Sequence, residues 1–243
     1  MGRQRVLELV RVQAQRNEVA VLVYEPRRPR NVSIVAGHGY SSSKHNLDFL
    51  CAFLRSNGFR VYNFDFPGHK LGASGGELRS FDDCTDAMAA VVSYARAQHP
   101  EPLYTLGHSM GAVTALFVAS ADSTIAGAVA IATGYGRPSS LASLQAAGAV
   151  DFRSDYVVGV DLPTLFEDAD ARFERVLPQL QGRPVLYIAA SRDAMVSPKS
   201  MRALFDRAPE PKKFVTIESD HTYAGEHARG EVLAWLSELH PRG

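Results

Sequence analysis

The chain has 243 residues, of which 46% are hydrophobic, and 26 basic side chains balance 26 acidic ones. This profile is typical of one globular domain and excludes an intrinsically disordered chain. A formal net charge of zero argues against nucleic-acid binding, which depends on a positive surface. The longest apolar candidate, Ile125 to Ala132, falls well below the roughly 18 residues that a membrane span needs.

The amino-terminal residues and the cysteine content favour a cytoplasmic protein. Met1 to Val6 carries charge but has neither the apolar region nor the cleavage site of a signal peptide. Two cysteines, Cys51 and Cys84, are too few for a disulfide framework and lack the spacing of metal ligands. We expect both to be reduced thiols on buried helix faces.

Short β-branched runs alternate with helical patterns along most of the chain. A hairpin is predicted at 6–12 and 19–24, after which the apolar runs are continuous, as in parallel strands covered on both faces. These later strands are predicted at 31–36, 60–64, 103–106, 127–132, 184–189 and 212–217. Amphipathic helices are predicted at 46–56, 81–98, 110–119, 198–205 and 230–239. The alternation predicts an α/β fold with an open, mostly parallel sheet and helices on both faces.

Residues 133–181 depart from this rhythm because they carry helix fragments where one crossover helix is expected. We interpret them as a cap inserted between the sixth and seventh strands. One domain then consists of a first core part, 1–132, this cap, and a second core part, 182–243. Aromatic side chains of the cap either line a substrate pocket or fasten the cap to the core. The candidates for the pocket are Phe152, Tyr156 and Phe166.

The motif Gly107-His108-Ser109-Met110-Gly111 lies between a predicted strand and a predicted helix. A serine on such a sharp turn needs small residues two positions to either side, since the crossing helix leaves no room for a Cβ. The turn also exposes the serine hydroxyl near the first N–H groups of the helix. Ser109 is therefore predicted to be a nucleophile.

A serine nucleophile needs a base and a group that orients the base. His221 follows the predicted strand 212–217, which places it at a strand end. Asp193 follows the strand 184–189 at the same expected edge of the sheet, and Asp220 is the rival acid. A residue directly before the histidine usually points away from its ring, which favours Asp193. The order Ser109, Asp193, His221 matches one of the known triad orders.

An oxyanion intermediate needs two preorganised N–H donors. The Met110 N–H is the first, and the Tyr40 N–H, in the loop Gly37-His-Gly-Tyr40 after a strand, is the second. The Tyr40 side chain lines the pocket or only packs, and His108 is a further pocket candidate. We expect His38 to brace the loop.

Other polar loops carry no chemistry in this interpretation. Asp65 and Ser74, in the Gly-rich loop after strand 60–64, are expected to satisfy buried loop amides. No glycine-rich loop has a nucleotide-binding form and no spacing indicates a metal. The sequence therefore implies no cofactor.

Taken together, these motifs resemble the α/β-hydrolase superfamily, in its serine esterase, monoacylglycerol-lipase-like and serine-aminopeptidase-like branch. The likeness covers nearly the whole chain, in the family's order and spacing, from Gly37–Tyr40 to Asp220-His221. It implies an eight-stranded, mostly parallel sheet, a cap between strands six and seven, and hydrolysis through an acyl-enzyme. Two positions depart from the family pattern: Lys70 replaces a usual glycine, and Ala112 stands where proline iminopeptidases often carry glycine.

The resemblance implies a small-molecule ester as substrate, and we rank a carboxylic ester first. A thioester ranks second, carried by CoA or an acyl carrier, although the acidic residues of the cap disfavour the polyanionic CoA. The same fold also hosts ligand receptors without turnover.

Overall fold

A computed structural model describes residues 7–136 and 151–242, apart from the side chains of residues 151 and 152. The described part contains a sheet of eight strands in the order β1-β2-β4-β3-β5-β6-β7-β8. The strands are β1 Leu7–Gln13, β2 Glu18–Tyr24, β3 Ser33–Gly37, β4 Arg60–Phe64, β5 Leu103–His108, β6 Gly127–Ile131, β7 Val185–Ala190 and β8 Lys212–Ile217. β2 pairs antiparallel with β1 and β4, and all other neighbours are parallel. The predicted sheet is confirmed.

Helices connect the parallel strands. They are α1 Asp48–Ser56, α2 Phe81–Gln98, α3 Met110–Ala121, α4 Asp151–Ser154, α5 Leu162–Val176, α6 Pro198–Arg207, α7 Ala224–His227 and α8 Arg229–Leu239, with 3-10 helices at Lys44–Leu47 and Leu177–Leu180. The five helices predicted from periodicity are present, with ends displaced by at most about two residues, as expected for fraying termini. Cys51 in α1 and Cys84 in α2 are buried free thiols, as predicted.

Helices cover both faces of the sheet and form one hydrophobic core on each. The first core packs α2, α3, α5 and α6 on the sheet and includes Phe81, Leu116 and Phe173. The second packs α1, α7 and α8 on the opposite face and includes Leu54 and Trp235. Strands β3 to β7 are buried at every residue, which explains their continuous apolar runs.

The described part of segment 133–181 contains one long helix, α5, that joins the core. Asp161 caps this helix, because its side chain accepts a hydrogen bond from the Thr164 N–H at 2.8 Å. The apolar face of α5, including Phe166 and Phe173, packs into the first core. Helix α5 thus acts as the crossover helix between β6 and β7.

Parallel strands bring distant residues to one edge of the sheet. β3 ends at Gly37, and β5 ends at His108. The two strands pair near these ends, where Gly37 lies opposite Gly107. Asp193 and His221 lie just beyond the ends of β7 and β8. All predicted catalytic groups therefore lie at the carboxyl edge of the sheet, where open α/β sheets bind ligands. Within the described ranges, no helix combines the length and apolar character needed to cross a membrane.

Candidate active site

Ser109 occupies the turn between β5 and α3 in a left-handed backbone conformation, with φ 54° and ψ −113°. This conformation costs a non-glycine residue about 1–3 kcal/mol. Hydrogen bonds hold it: the Ser109 N–H donates to the Ile131 carbonyl at 2.9 Å, and the Ser109 carbonyl accepts from the Ala112 N–H at 3.1 Å. The strained turn places Ser109 on the wall of a cavity at the carboxyl edge of the sheet.

The two glycines of the motif allow α3 to cross close to β3 and β5. A Cβ added to Gly107 would lie 2.0 Å from the carbonyl carbon of Gly111. A Cβ added to Gly111 would lie 2.1 Å from the carbonyl oxygen of Gly37. Both clashes involve backbone atoms, which cannot rotate away. The need for small residues on both sides of Ser109, predicted from the motif, thus has a direct structural cause.

We predict that Gly111→Ala destabilises the protein by about 2–4 kcal/mol, because the added methyl group must displace the backbone of Gly37. Helix propensity alone would favour alanine by roughly 1 kcal/mol. Thermal unfolding should show a Tm lower by about 4–16 °C. The matched control is Gly230→Ala in α8, where no atom lies within 4 Å of the added Cβ. Equal Tm values for the two variants would contradict the packing argument.

His221 lies beyond β8 and pairs with Asp193. Its Nδ1 is 2.7 Å from Asp193 Oδ2. The other carboxylate oxygen, Oδ1, accepts hydrogen bonds from the N–H groups of Met195 at 2.8 Å and Val196 at 2.7 Å. These bonds fix the orientation of the carboxylate, so His221 donates its Nδ1–H to it. The Nε2 atom of a neutral His221 is then left as a proton acceptor.

The rival acid, Asp220, has a different role. It is exposed, and its Oδ1 accepts a hydrogen bond from the Tyr223 N–H at 3.0 Å. The Asp220 carboxylate therefore stabilises the turn that follows β8. Of the two acids that the sequence left as alternatives, the structure pairs Asp193 with the imidazole of His221.

The loop Gly37–Tyr40 packs against the Ser109 turn. A Cβ added to Gly39 would lie 3.4 Å from the Ser109 Cβ. His38 is fully buried and braces this loop: its Nδ1 is 2.7 Å from the Gly39 carbonyl, and its Nε2 accepts a hydrogen bond from the Phe66 N–H at 3.0 Å. These two partners require a neutral imidazole that is protonated at Nδ1. The ring thus has the structural role predicted for it.

The two residues predicted to supply oxyanion donors lie close to Ser109, one in the chain and one on the same cavity wall. Met110 is the first residue of α3, and Tyr40 lies on the cavity wall. The Tyr40 hydroxyl donates a hydrogen bond to the Val160 carbonyl at 2.9 Å. Tyr40 therefore lines the cavity and also ties the loop to segment 133–181.

His108 contacts both the backbone and the ring of His221. Its Nε2 donates to the backbone carbonyl of His221 at 2.8 Å, and the two ring centroids are 4.8 Å apart. The Nδ1 atom of His108 has no hydrogen-bond partner among the described residues. His108 lines the cavity, as we predicted. Its hydrogen bond to the His221 carbonyl helps to hold His221 in position.

Three buried histidines at this site are held neutral. Burial lowers the pKa of His38 to about 3, of His69 to about 4 and of His108 to about 3, because the charged imidazolium loses its water. A neighbouring histidine adds to the shift in two cases, His69 for His38 and His221 for His108.

These histidines should make the fold acid-labile. Their pKa values are far below the unfolded value of 6.5, so below pH 6.5 the unfolded chain binds more protons than the folded chain. The free energy of unfolding should therefore fall between pH 6.5 and about 4, by about 1.4 kcal/mol per pH unit for each histidine. Urea unfolding at pH 8, 6.5 and 5 measures this slope. His69→Phe should reduce this slope by about 1.4 kcal/mol per pH unit, the contribution of one proton. The exposed control His45→Gln should leave the slope unchanged. A free energy that is constant from pH 6.5 to 5 would contradict the prediction.

Asp65 and Ser74 have the structural role that we predicted for them in the loop after β4. Asp65 accepts hydrogen bonds from the Lys44 N–H at 2.7 Å, the Lys44 ammonium at 2.5 Å and the Ala73 N–H at 2.7 Å. Burial alone raises the pKa of this carboxyl, but the Lys44 ammonium and the two N–H donors bring it below its ordinary value. The Ser74 hydroxyl donates to the Asp65 carbonyl at 2.8 Å. This network orders the loop.

Ser109 and His221 line one cavity of about 130 Å³. Its other described lining residues are Gly39, Tyr40, Ser41, Ser42, Asn46, Leu71, His108, Arg153, Leu162, Met195 and Thr222. Most of these residues carry polar groups, and Leu71, Leu162 and Met195 are apolar. The described residues contain no group of three or more His, Cys, Asp or Glu that could hold a metal ion.

Two predicted pocket residues lie elsewhere. Phe166 packs in the core, with its ring centroid 6.4 Å from that of Phe81, because the apolar face of α5 turns toward α2 and α3. Tyr156 lies where its carbonyl accepts a hydrogen bond from the Lys70 N–H at 2.9 Å. Neither is among the described residues that line the cavity. The Phe152 side chain lies outside the described residues. Sequence reasoning missed Arg153, which belongs to no motif that could have indicated it.

Residues 28–164 match the sequence profile of the Hydrolase_4 family, described as serine aminopeptidase, S33. The matched range is more than half of the chain and includes the Gly37–Tyr40 loop and Ser109. No curated protein matches the sequence significantly.

Several solved structures share the fold. The esterase Pf2001 of Pyrococcus furiosus aligns with a TM-score of 0.76 and 18% identity over 96% of this chain and 92% of its own. Est1E of Butyrivibrio proteoclasticus, solved with ferulic acid bound, aligns with a TM-score of 0.70 and 18% identity over 95% and 97%. XC6422 of Xanthomonas campestris, described as a serine hydrolase without a lid, gives 0.69 and 18% over 99% and 98%. At these identities the likeness establishes the fold. With the profile match over more than half of its length, the chain belongs to the Hydrolase_4 (serine aminopeptidase, S33) family of the α/β-hydrolase superfamily.

Proposed function

We propose that this protein is a serine hydrolase that cleaves carboxylic esters of small to mid-sized acyl groups through an acyl-enzyme. One observation carries the proposal: Ser109 and His221 line the same cavity, and the Nδ1 of His221 is 2.7 Å from a buried carboxylate oxygen of Asp193. A nucleophile, a base and an orienting acid at one edge of the sheet are the parts that acyl transfer needs.

In the proposed reaction, Ser109 Oγ attacks the ester carbonyl carbon while His221 Nε2 takes the hydroxyl proton. Asp193 keeps the His221 proton on Nδ1 and stabilises the imidazolium that forms. The N–H groups of Tyr40 and Met110 donate to the oxyanion. The tetrahedral intermediate collapses, His221 returns the proton to the departing alcohol, and water then repeats the steps on the acyl-enzyme.

The fold neighbours support an ester substrate, and the cavity volume bears on the length of its acyl group. Fold neighbours include proteins described as esterases, among them Pf2001 and Est1E. The cavity of about 130 Å³ is smaller than the 300–1,000 Å³ of typical ligand pockets, which favours short acyl groups over long ones.

The test is turnover of 4-nitrophenyl esters from acetate to palmitate, beside the matching acyl thioesters. A fluorophosphonate probe identifies the nucleophile by mass spectrometry. We expect hydrolysis that is greatest for a short acyl chain, and a single labelled residue, Ser109. Cleavage of thioesters alone would overturn the ester assignment in favour of a thioesterase. A ligand-dependent rise in Tm without turnover or labelling would overturn catalysis in favour of a receptor.

A further inference from the structure

Arg153 brings a positive charge into the cavity that holds Ser109. It follows Phe152 near the end of α4, is half-buried, and lines the cavity wall. Its Nη1 donates a long hydrogen bond of 3.5 Å to the Ser41 hydroxyl. The guanidinium has five N–H donors, so most of its hydrogen-bonding capacity is not used by this contact.

Other buried or half-buried arginines are paired with carboxylates or donate at ordinary distances to backbone carbonyls, as Arg30, Arg55 and Arg183 do. Arg60 pairs with Glu25 and Glu101, and Arg172 pairs with Asp82 and Asp168. No carboxylate among the described residues lies within 4.0 Å of the Arg153 guanidinium. Carbonyl oxygens, water or an anion can accept hydrogen bonds from a half-buried guanidinium, and an anion forms the strongest of these bonds.

The described part of the cavity lining does not supply such an anion. These described residues include no Asp or Glu. Ser41, Ser42, Asn46 and Thr222 contribute neutral polar groups. The charge of Arg153 also acts on His108: it lowers the pKa of His108, after burial and the charge of His221 as larger causes, while the charge of Asp193 raises that pKa. Arg153 is therefore the one side chain of fixed charge among the described residues that line the cavity beside Ser109.

We infer that the ester cleaved at Ser109 carries an anionic group, a carboxylate or a phosphate, which binds to the guanidinium of Arg153. The inference rests on the proposed esterase function and narrows its substrate class. A guanidinium binds such groups through two parallel hydrogen bonds, which provide both attraction and orientation. The small cavity places this anion a short distance from the scissile carbonyl, either in the acyl part or in the alcohol part.

The test compares charged and neutral esters of matched shape. For the acyl side, the mono-4-nitrophenyl ester of adipic acid is compared with methyl 4-nitrophenyl adipate. For the alcohol side, 3-carboxy-4-nitrophenyl butyrate is compared with its methyl ester, 3-methoxycarbonyl-4-nitrophenyl butyrate. The measured quantity is the ratio of kcat/KM between the charged and the neutral ester. The wild type is expected to prefer the charged ester by at least 10-fold in one of the two pairs, and that pair identifies which part carries the anion.

Arg153→Met removes the charge and the guanidinium but keeps an unbranched side chain that replaces the apolar stem of the arginine. It should lower the charged-to-neutral ratio about 10- to 100-fold, and Arg153→Lys should restore part of it. High salt should reduce the wild-type ratio, because ions screen a partly exposed charge pair. The matched control is Arg175→Met, which removes the same charge from an exposed position of α5 and should leave the ratio unchanged.

The two proposals fail in different ways. If the wild type shows no Ser109-dependent turnover of either charged or neutral esters, the esterase function itself is overturned. Ser109-dependent turnover with a ratio near one in the wild type, and no change in the ratio in Arg153→Met, would overturn the anionic substrate while leaving the esterase function intact.

Discussion

Replacing Ser109 with alanine is expected to lower kcat for the best nitrophenyl ester by roughly 10⁵- to 10⁶-fold. The variant lacks the only atom that forms the acyl-enzyme in the proposed mechanism, while the Tyr40 and Met110 N–H groups remain. The residual rate over the uncatalysed reaction should be about 10³- to 10⁴-fold, from binding and oxyanion stabilisation. Steady-state kinetics at saturating ester measures the loss, and the fluorophosphonate label should disappear.

The control for this variant is Ser123→Ala, since Ser123 is an exposed serine in the turn before β6. It should retain full turnover and labelling. Thermal unfolding of Ser109→Ala should remain cooperative, so that loss of activity is not loss of fold. Turnover in Ser109→Ala within tenfold of the wild type would rule out the acyl-enzyme mechanism.

Asp193→Asn is expected to lower kcat about 10⁴-fold with little change in structure. The Oδ1 position receives two backbone N–H groups, from Met195 and Val196, so the asparagine oxygen should occupy it. The asparagine NH₂ then faces His221 and donates to Nδ1. His221 is forced into the tautomer with its proton on Nε2, which cannot accept the proton of Ser109.

The matched control is Asp220→Asn, at the acid directly beside His221 in sequence. Its carboxylate caps a turn, so we expect kcat within about threefold of the wild type and at most a small loss of stability. Measuring kcat for both variants distinguishes the two acids. A large loss in Asp220→Asn together with an active Asp193→Asn would reverse the assignment of the orienting acid.

Local patterns predicted much of this fold because the responsible forces act over a few residues. The continuous apolar runs of β3 to β7 reflect burial on both faces, which needs no knowledge of the neighbouring strands. The motif around Ser109 was equally informative, since the left-handed turn and its flanking glycines are requirements of one short strand-turn-helix unit.

Helix α5 shows where local patterns were insufficient. Its apolar residues, such as Phe166, have the spacing of a buried helix face, but periodicity does not say which surface covers that face. The contacts with α2 and α3 assign it to the core and not to the cavity. The same limit applies to Tyr156, whose carbonyl accepts a hydrogen bond from Lys70, a residue far from it in the chain.

The sequence by itself determined the α/β architecture, the position of the Ser109 turn and the strand ends that carry Asp193 and His221, because each depends on residues close together in the chain. Only the tertiary structure decided that Asp193 contacts His221 while Asp220 caps a turn, and that Arg153 shares the cavity with Ser109. These relations join residues that are far apart in the chain. They depend on how strands, helices and loops pack in three dimensions, which no local pattern specifies.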